Sequence, residues 1–148
     1  MLRDDSEVAL NDLIKLADTA AETFETASRV VADHDADLLA LFTGLAEQRR
    51  TMESELRSLD RSLGDLPREA DDDYTAVHDL YVRLRGLFSG DERRALVEEC
   101  ESADQDLTAG LIAALQVRMP EPMVATLKRY QYEVTAALGR LAVVRLRM

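Results

Sequence analysis

Four stretches of the chain, each about 27 residues long, carry apolar side chains at alternating steps of three and four residues. This spacing places the apolar side chains on one face of an α-helix, so each stretch is predicted to be an amphipathic helix that packs against a shared core. The predicted helices cover residues 6–32, 36–63, 91–118 and 121–146. Because helices of this matched length each span about 40 Å, we expect them to pack side by side.

The links between these helices differ in length, and their order constrains the topology. The first is a short turn in which Asp35 is predicted to cap the second helix; the third contains Pro120, and Pro122 falls in the first turn of the last helix. The second link is about 27 residues long and includes a short amphipathic helix at about 74–88. A long crossover lets the third helix start at the end where the second started, which is typical of the ferritin-like class. The sequence therefore predicts one all-α domain over residues 1–148, a ferritin-like four-helix bundle with one long crossover that contains a short extra helix.

The charge of the chain disfavours binding to polyanions. There are 18 Lys and Arg residues against 29 Asp and Glu residues, a net charge of −11. Such a surface repels nucleic-acid backbones and anionic membrane faces, so we expect neither nucleic acid nor a membrane as a partner. The charge is also uneven, because residues 128–148 are net basic. We interpret this segment as a cationic last helix that packs against acidic neighbours.

Cysteine usage favours a cytoplasmic location. Cys100 is the only cysteine, which excludes a disulfide within the chain. Residues 1–5 lack the basic and apolar regions of a signal peptide, so a reducing cytoplasm is the expectation. Cys100 lies on an apolar stripe with no His at helical spacing, and we predict a buried structural thiol rather than a nucleophile.

Three segments carry a resemblance to a known family. They read Leu-Asn-Asp-Leu-Ile at 10–14, Leu-Ala-Glu-Gln-Arg at 45–49 continuing to 55–56, and Leu-Val-Glu-Glu-Cys-Glu at 96–101 continuing to Asp104. On these segments the chain resembles a family of bacterial ferritin-like four-helix proteins that has no assigned function. The resemblance implies this fold and a link to stress responses, and it implies no substrate. Similar sequences carry a His in the second half of the last helix, where this chain has Ala-Ala-Leu-Gly-Arg.

The residues that a di-metal centre needs are not in place. Such a centre takes one Glu from each of two helices and a Glu-x-x-His from each of the other two. The two histidines, His34 and His78, are preceded three residues earlier by Val31 and Thr75, so neither belongs to that motif. We therefore predict no metal ligands and no catalytic residues. The alternative is a centre of iron or manganese formed by glutamates that turn inward from the edges of the stripes, namely Glu22, Glu25, Glu53, Glu101 and Glu133.

A polar cluster is predicted where relatives of this fold hold metal. Arg49 lies at the middle of the apolar stripe of the second helix, and Asp104 lies at the middle of the third; it is the one carboxylate that periodicity places at a stripe centre. A buried guanidinium needs a paired acceptor, so we expect an Arg49–Asp104 ion pair. Tyr130 on the last helix is a candidate third member. The other interpretation is that Arg49 extends to the rim while Asp104 binds water.

The expected function follows from this core. We expect a non-catalytic bundle that acts as an interaction or structural module, forms a homo-oligomer or binds a protein partner, and is linked to stress. One alternative is a metal-dependent oxidase or iron-handling protein. Another is a binding module with a small-ligand pocket near Tyr130, Arg49 and Asp104. Core packing is the favoured interpretation of four other aromatic residues, Tyr74, Tyr81, Phe88 and Tyr132; the alternative is that they mark a partner surface on which Tyr132 is exposed.

Overall fold

The computed structural model describes residues 5–62 and 90–148, and within them the chain forms four long helices and no strand. They are α1 (Asp5–Val31), α2 (Ala36–Ser62), α3 (Gly90–Leu115) and α4 (Glu121–Leu146). The predicted all-α, four-helix architecture is confirmed. The predicted short helix at 74–88, with His78, lies outside the described residues.

A single aspartate shapes the turn between α1 and α2. The backbone N–H of Asp35 donates to the carbonyl of Val31 at 3.0 Å, which closes the end of α1. The Oδ1 atom of Asp35 accepts a hydrogen bond from the backbone N–H of Leu38 at 3.0 Å, which caps the start of α2. The predicted capping role of Asp35 is confirmed, and it holds α1 and α2 as an antiparallel hairpin.

The end of α3 corrects the prediction, because the helix stops at Leu115 and not at residue 118. The N–H groups of Gln116 and Val117 donate to the carbonyls of Ala113 and Ala114, three residues earlier, so the chain tightens into a turn. Pro120 follows shortly afterwards, and a proline disfavours helical backbone in the residue before it.

Two apolar clusters show how the helices run. One contains the end of α1, the starts of α2 and α3 and the end of α4: Phe24, Ala27, Val30, Val31, Leu38, Phe42, Leu45, Ala46, Leu96, Val97, Cys100, Ala137 and Leu141. The other contains the opposite halves of the same helices: Leu10, Leu13, Ile14, Ala17, Ala20, Met52, Leu56, Leu107, Leu111, Ala114, Met123, Leu127, Tyr130 and Val134. Therefore α1 and α4 point one way, while α2 and α3 point the other.

The packing of the helices places α2 and α3 across a diagonal. Helix α1 packs on α2 and α3, and α4 packs on α3 and only lightly on α2. Each neighbouring pair is thus antiparallel, whereas α2 and α3 are parallel and face each other across the core. This is the arrangement that a long link between the second and third helices requires.

Gly110 on α3 allows α1 to approach closely. A Cβ atom at this position would overlap Cδ1 of Leu16 and lie 3.3 Å from Cδ2 of Leu13, both on α1. By contrast, a Cβ atom at Gly44 on α2 would have no neighbour within 4 Å. The two glycines therefore differ in what a side chain would meet.

We predict that Gly110→Val lowers the free energy of unfolding by about 1–3 kcal/mol, because its methyl groups overpack the α1–α3 contact. Gly44→Ala, the matched control in open space, should raise it by about 0.5–1 kcal/mol through helix propensity alone. Urea unfolding followed by circular dichroism measures both. Equal effects of the two substitutions would contradict the close α1–α3 contact.

Candidate functional site

A bidentate ion pair occupies the centre of the bundle. Nε of Arg49 donates to Oδ1 of Asp104 at 2.9 Å, and Nη2 donates to Oδ2 at 2.8 Å. Both side chains are 0% exposed. This parallel geometry of two charge-assisted hydrogen bonds is the strongest form that an arginine–carboxylate contact takes.

The helical stripes place the two partners at the same depth. Arg49 follows Leu45 by one turn on α2, and Asp104 follows Cys100 by one turn on α3. Because α2 and α3 face each other across the diagonal, their side chains meet in the core between the two apolar clusters. Ala21 of α1 is also fully buried.

The remaining edges of the guanidinium are also engaged. Nη1 of Arg49 donates to Oε1 of Gln48 at 2.6 Å. The guanidinium carbon lies 5.8 Å from the ring centroid of Phe24, within the range of a cation–π contact. All three nitrogens of Arg49 therefore have a hydrogen-bond acceptor, which offsets part of the cost of removing the charge from water.

Burial raises the pKa of two groups at the centre of the bundle, the Asp104 carboxyl and the Cys100 thiol. It raises the pKa of the Asp104 carboxyl above its ordinary value, while the hydrogen bonds and charge of Arg49 lower it. Burial also raises the pKa of the Cys100 thiol well above its ordinary value, and the neighbouring Asp104 raises it further. Cys100 is fully buried, so its thiol stays protonated and is a structural group, as the sequence predicts.

The structure brings Arg49 and Asp104 together and does not bring Tyr130 to them. Tyr130 is buried, at 1% exposure, but its hydroxyl makes no hydrogen bond to Asp104 or Arg49. Burial raises the pKa of the Tyr130 hydroxyl, and the nearby charge of Glu55 raises it further. The guanidinium carbon of Arg129 lies 5.3 Å from the Tyr130 ring centroid. The phenol therefore belongs to the contact between α4 and α2.

The glutamates of the alternative metal centre lie among arginines. Oε1 of Glu25 lies 2.6 Å from Arg50, and Oε1 of Glu53 lies 2.9 Å from the same guanidinium. Glu101 contacts Arg145 at 2.7 Å, and Glu133 lies 3.9 Å from Arg129; Glu22 is partly exposed on α1. Over residues 5–62 and 90–148, no three His, Cys, Asp or Glu side chains form a group that could hold a metal ion.

Sequence reasoning missed the network around Arg50. Besides the two glutamates, this arginine contacts Oδ1 of Asp18 at 2.6 Å, so one cation links three acids across the α1–α2 contact. These hydrogen bonds, that to Glu25 foremost, raise the pKa of Arg50. Its position one residue after a stripe residue is the only signal in the sequence, because it marks a side chain at the edge of a helix contact.

The prediction of one buried carboxylate was also incomplete. Asp60 on α2 is fully buried, and its Oδ1 atom lies 3.5 Å from Nδ2 of Asn11 on α1. The spacing of Asp60 from Leu56 and Met52 continues the apolar stripe, and this signal was available in the sequence. Glu101, at 8% exposure, is a third acid with little exposed surface.

The surface grooves lie away from the ion pair. A groove of about 580 Å³ lies between α1 and α3, and one of about 530 Å³ lies between α2 and α4. Neither is lined by Arg49, Asp104 or Tyr130. The small-ligand pocket expected near these three residues is therefore not one of these grooves.

These features define a class of protein: an all-α four-helix bundle whose centre holds a buried ion pair. Residues 5–116 match a domain of unknown function, DUF2383, and the chain belongs to that family. No curated protein and no solved structure matches the chain. The matched range includes both Arg49 and Asp104 and ends before α4. Within the described part of the chain, no helix is long and apolar enough to cross a membrane.

We predict that Arg49→Ala lowers the free energy of unfolding by about 3–5 kcal/mol, because it leaves the Asp104 carboxylate buried without its partner. Urea unfolding measures the loss. Arg57→Ala is the matched control, since it removes an arginine from the same helix whose pair with Glu53 is partly exposed, and it should cost no more than about 0.5 kcal/mol. A loss below about 1 kcal/mol for Arg49→Ala would contradict the assignment of a strong buried pair.

We predict that Arg49→Met combined with Asp104→Leu recovers most of the stability that Arg49→Ala loses. An apolar pair of similar volume removes both charges and needs no hydrogen-bond partners. The double variant should unfold within about 1–2 kcal/mol of the unchanged protein in the same urea experiment. A double variant that is less stable than Arg49→Ala would show that the cost of the single substitution is a packing defect.

The cost of Arg49→Ala should also grow with pH. Without Arg49, only burial acts strongly on Asp104, so its folded-state pKa rises further above the unfolded value. Such a group keeps its contribution to stability below the unfolded pKa and loses it as the pH rises through the folded pKa. The difference in unfolding free energy between variant and unchanged protein should therefore be smaller at about pH 5 than at about pH 8. A difference that is constant between these pH values would contradict the burial of an unpaired carboxylate.

Proposed function

We propose that this protein is a non-catalytic, cytoplasmic helical bundle that acts as an interaction or structural module. In this proposal it is a ferritin-like bundle in which the Arg49–Asp104 pair takes the place of a di-metal centre. The stress-related role implied by the family resemblance is part of the same proposal. A protein partner, including a second copy of the chain, is the expected ligand.

The observation that carries this proposal is the guanidinium at the centre of the core. A buried cation repels a second cation strongly, because little solvent lies between them to screen the charge. Both oxygens of Asp104, the acid nearest the centre, are already used by Arg49. The ion pair thus supplies what a metal would otherwise supply, a strong polar link between helices.

The helix directions support the ferritin-like part of the proposal. The long link joins α2 to α3, which run parallel across the diagonal, and every neighbouring pair is antiparallel. This is the topology of a four-helix bundle with one long crossover. The surroundings of Glu25, Glu53, Glu101 and Glu133 support the non-catalytic part of the proposal, because each of these carboxylates is paired with an arginine.

A metal titration separates this proposal from the oxidase alternative. We expect that protein purified without chelator and titrated anaerobically with iron(II) or manganese(II) shows no binding tighter than about 10 μM by calorimetry. About two bound ions per chain would contradict the proposal. In that case Glu53→Gln and Glu101→Gln should abolish the binding, since these two glutamates are the least exposed of the alternative ligands, whereas Glu47→Gln on the exposed side of α2 should not.

A further inference from the structure

The outer face of α4 carries a second apolar stripe. Its members follow one another at steps of four, three, four and three residues, and all are exposed: Tyr132, Ala136, Gly139, Val143 and Leu146. They lie on the side of α4 opposite its buried stripe. Tyr132 and Leu146 are 79% and 74% exposed, so the interpretation of Tyr132 as core packing was wrong. A seven-residue repeat of this kind is the pattern of a helix that packs against another helix.

An open groove lies beside this stripe. Helix α4 packs only lightly on α2, and the space between them holds the groove of about 530 Å³. Its apolar lining consists of Leu41 of α2 and Ala136, Gly139, Val143 and Val144 of α4, and the charged Asp37 and Arg140 lie at its edges. A Cβ atom at Gly139 would have no neighbour within 4 Å, so the middle of the groove is empty space against a bare backbone.

Tyr132 does not fill this groove in its own chain, because its side chain is 79% exposed and is not part of the lining. The far end of the groove, at Val143, lies eleven residues further along α4, which is about 16 Å along the helix axis and beyond the reach of a tyrosine side chain. A second copy of the chain can bring its own Tyr132 to this groove. If two α4 helices cross antiparallel about a two-fold axis between Ala136 and Gly139, Tyr132 lies opposite the partner's Val143. Ala136 then lies opposite the partner's Gly139. The large Tyr132 side chain therefore meets the partner's groove, whereas the small residues Ala136 and Gly139 face each other near the axis.

The charged residues beside the stripe fit the same two-fold arrangement. Glu133 and Arg140 flank it on the side that faces α2. A two-fold axis keeps this side of both helices together, because an isologous contact uses the same patch twice. Each Glu133 then lies within about one helical turn, or about 5 Å, of the partner's Arg140.

The charge distribution favours contact through α4 rather than through α1 or α3. Helix α4 has four basic residues against two acidic ones, whereas α1 has six acidic residues against two basic ones and α3 has seven against two. Two copies of a chain with net charge −11 repel each other most through α1 and α3. Because α1 lies diagonally opposite α4 in each bundle, contact through α4 keeps the two acidic α1 helices far apart.

The length of the contact sets its strength. With the axis between Ala136 and Gly139, the two α4 helices overlap over residues 129–146, which is about 27 Å. A strip about 20 Å wide along that length buries about 540 Å² per partner, the size of a weak, reversible interface.

We propose that a second copy of this chain docks on the outer face of α4, so that Tyr132 of each copy enters the α2–α4 groove of the other. The inference rests on the proposed function, because it names the surface and the partner of an interaction module. The occupant is a folded copy of the same chain, and the interface is antiparallel and two-fold.

Sedimentation equilibrium of the full chain tests this interface. We expect a dimer at about 100 μM, and Val143→Glu should raise its dissociation constant about tenfold or more by placing a charge in the apolar contact. Ile112→Glu is the matched control, because Ile112 on α3 is exposed to the same extent as Val143, 47%, and its substitution should leave the dimer unchanged. Circular dichroism verifies that both variants are folded.

A charge reversal tests the two-fold register. Glu133→Arg alone and Arg140→Glu alone should each weaken the dimer several-fold, because each places like charges together across the axis. In the variant with both substitutions, position 133 of each copy again faces an opposite charge at position 140 of the other, so the dimer should recover most of its affinity. A double variant weaker than either single one would overturn the antiparallel register.

The outcomes separate this inference from the function on which it rests. A monomer at about 100 μM would overturn docking of a second copy and would leave the face for a different protein, whatever the metal titration shows. A dimer that Val143→Glu leaves intact, or that Ile112→Glu disrupts equally, would overturn the assignment to α4. Bound metal with an intact α4 dimer would instead overturn the proposed function and retain the interface.

Discussion

The ion pair between Arg49 and Asp104 is the interaction on which the arrangement of this bundle depends. It links α2 and α3, two parallel helices that face each other across the core. Apolar contacts are non-directional, so they specify the register of two helices less sharply than paired charges do. A bidentate ion pair does not tolerate sliding by a turn, since a displacement of about 5.4 Å would leave two charges buried and apart. The pair therefore fixes the register of α2 against α3.

The rest of the structure is organised around this polar centre. The apolar core divides into two clusters on either side of the pair, each made from all four helices. Towards the surface, Arg50 and Arg145 hold acids that would otherwise repel one another, across the α1–α2 and α3–α4 contacts. Neither apolar packing nor ion pairing is extensive between α2 and α4, apart from the ion pair of Arg129 with Glu55. The α2–α4 seam is the one among the described helices where packing is light, and it is where the apolar stripe of α4 begins.

Helical periodicity predicts the parts of this molecule that depend on one helix at a time. It gives the four helices, and it places Arg49 and Asp104 on the inward faces of α2 and α3 at matching depth. It does not give the direction of a long side chain beyond its Cβ atom. Tyr130 is on the inward stripe as predicted, yet its hydroxyl makes no hydrogen bond to Asp104, and the charges that act on its pKa are those of Glu55 and Arg129. The network of Arg50 depends on how α1 is rotated against α2, which no single helix encodes. The early end of α3 reflects the turn before Pro120, where local backbone preference overrides the apolar pattern.

A double-mutant cycle on Arg49 and Asp104 tests this ion pair most directly, with Arg49→Ala, Asp104→Ala and the double alanine variant unfolded in urea. We predict that the two substitutions are strongly non-additive, with a coupling energy of about 3 kcal/mol, because each single variant leaves one charge buried without its partner. A coupling energy below about 0.5 kcal/mol would show that the two residues act independently. The ion pair would then not be the interaction that fixes α2 against α3.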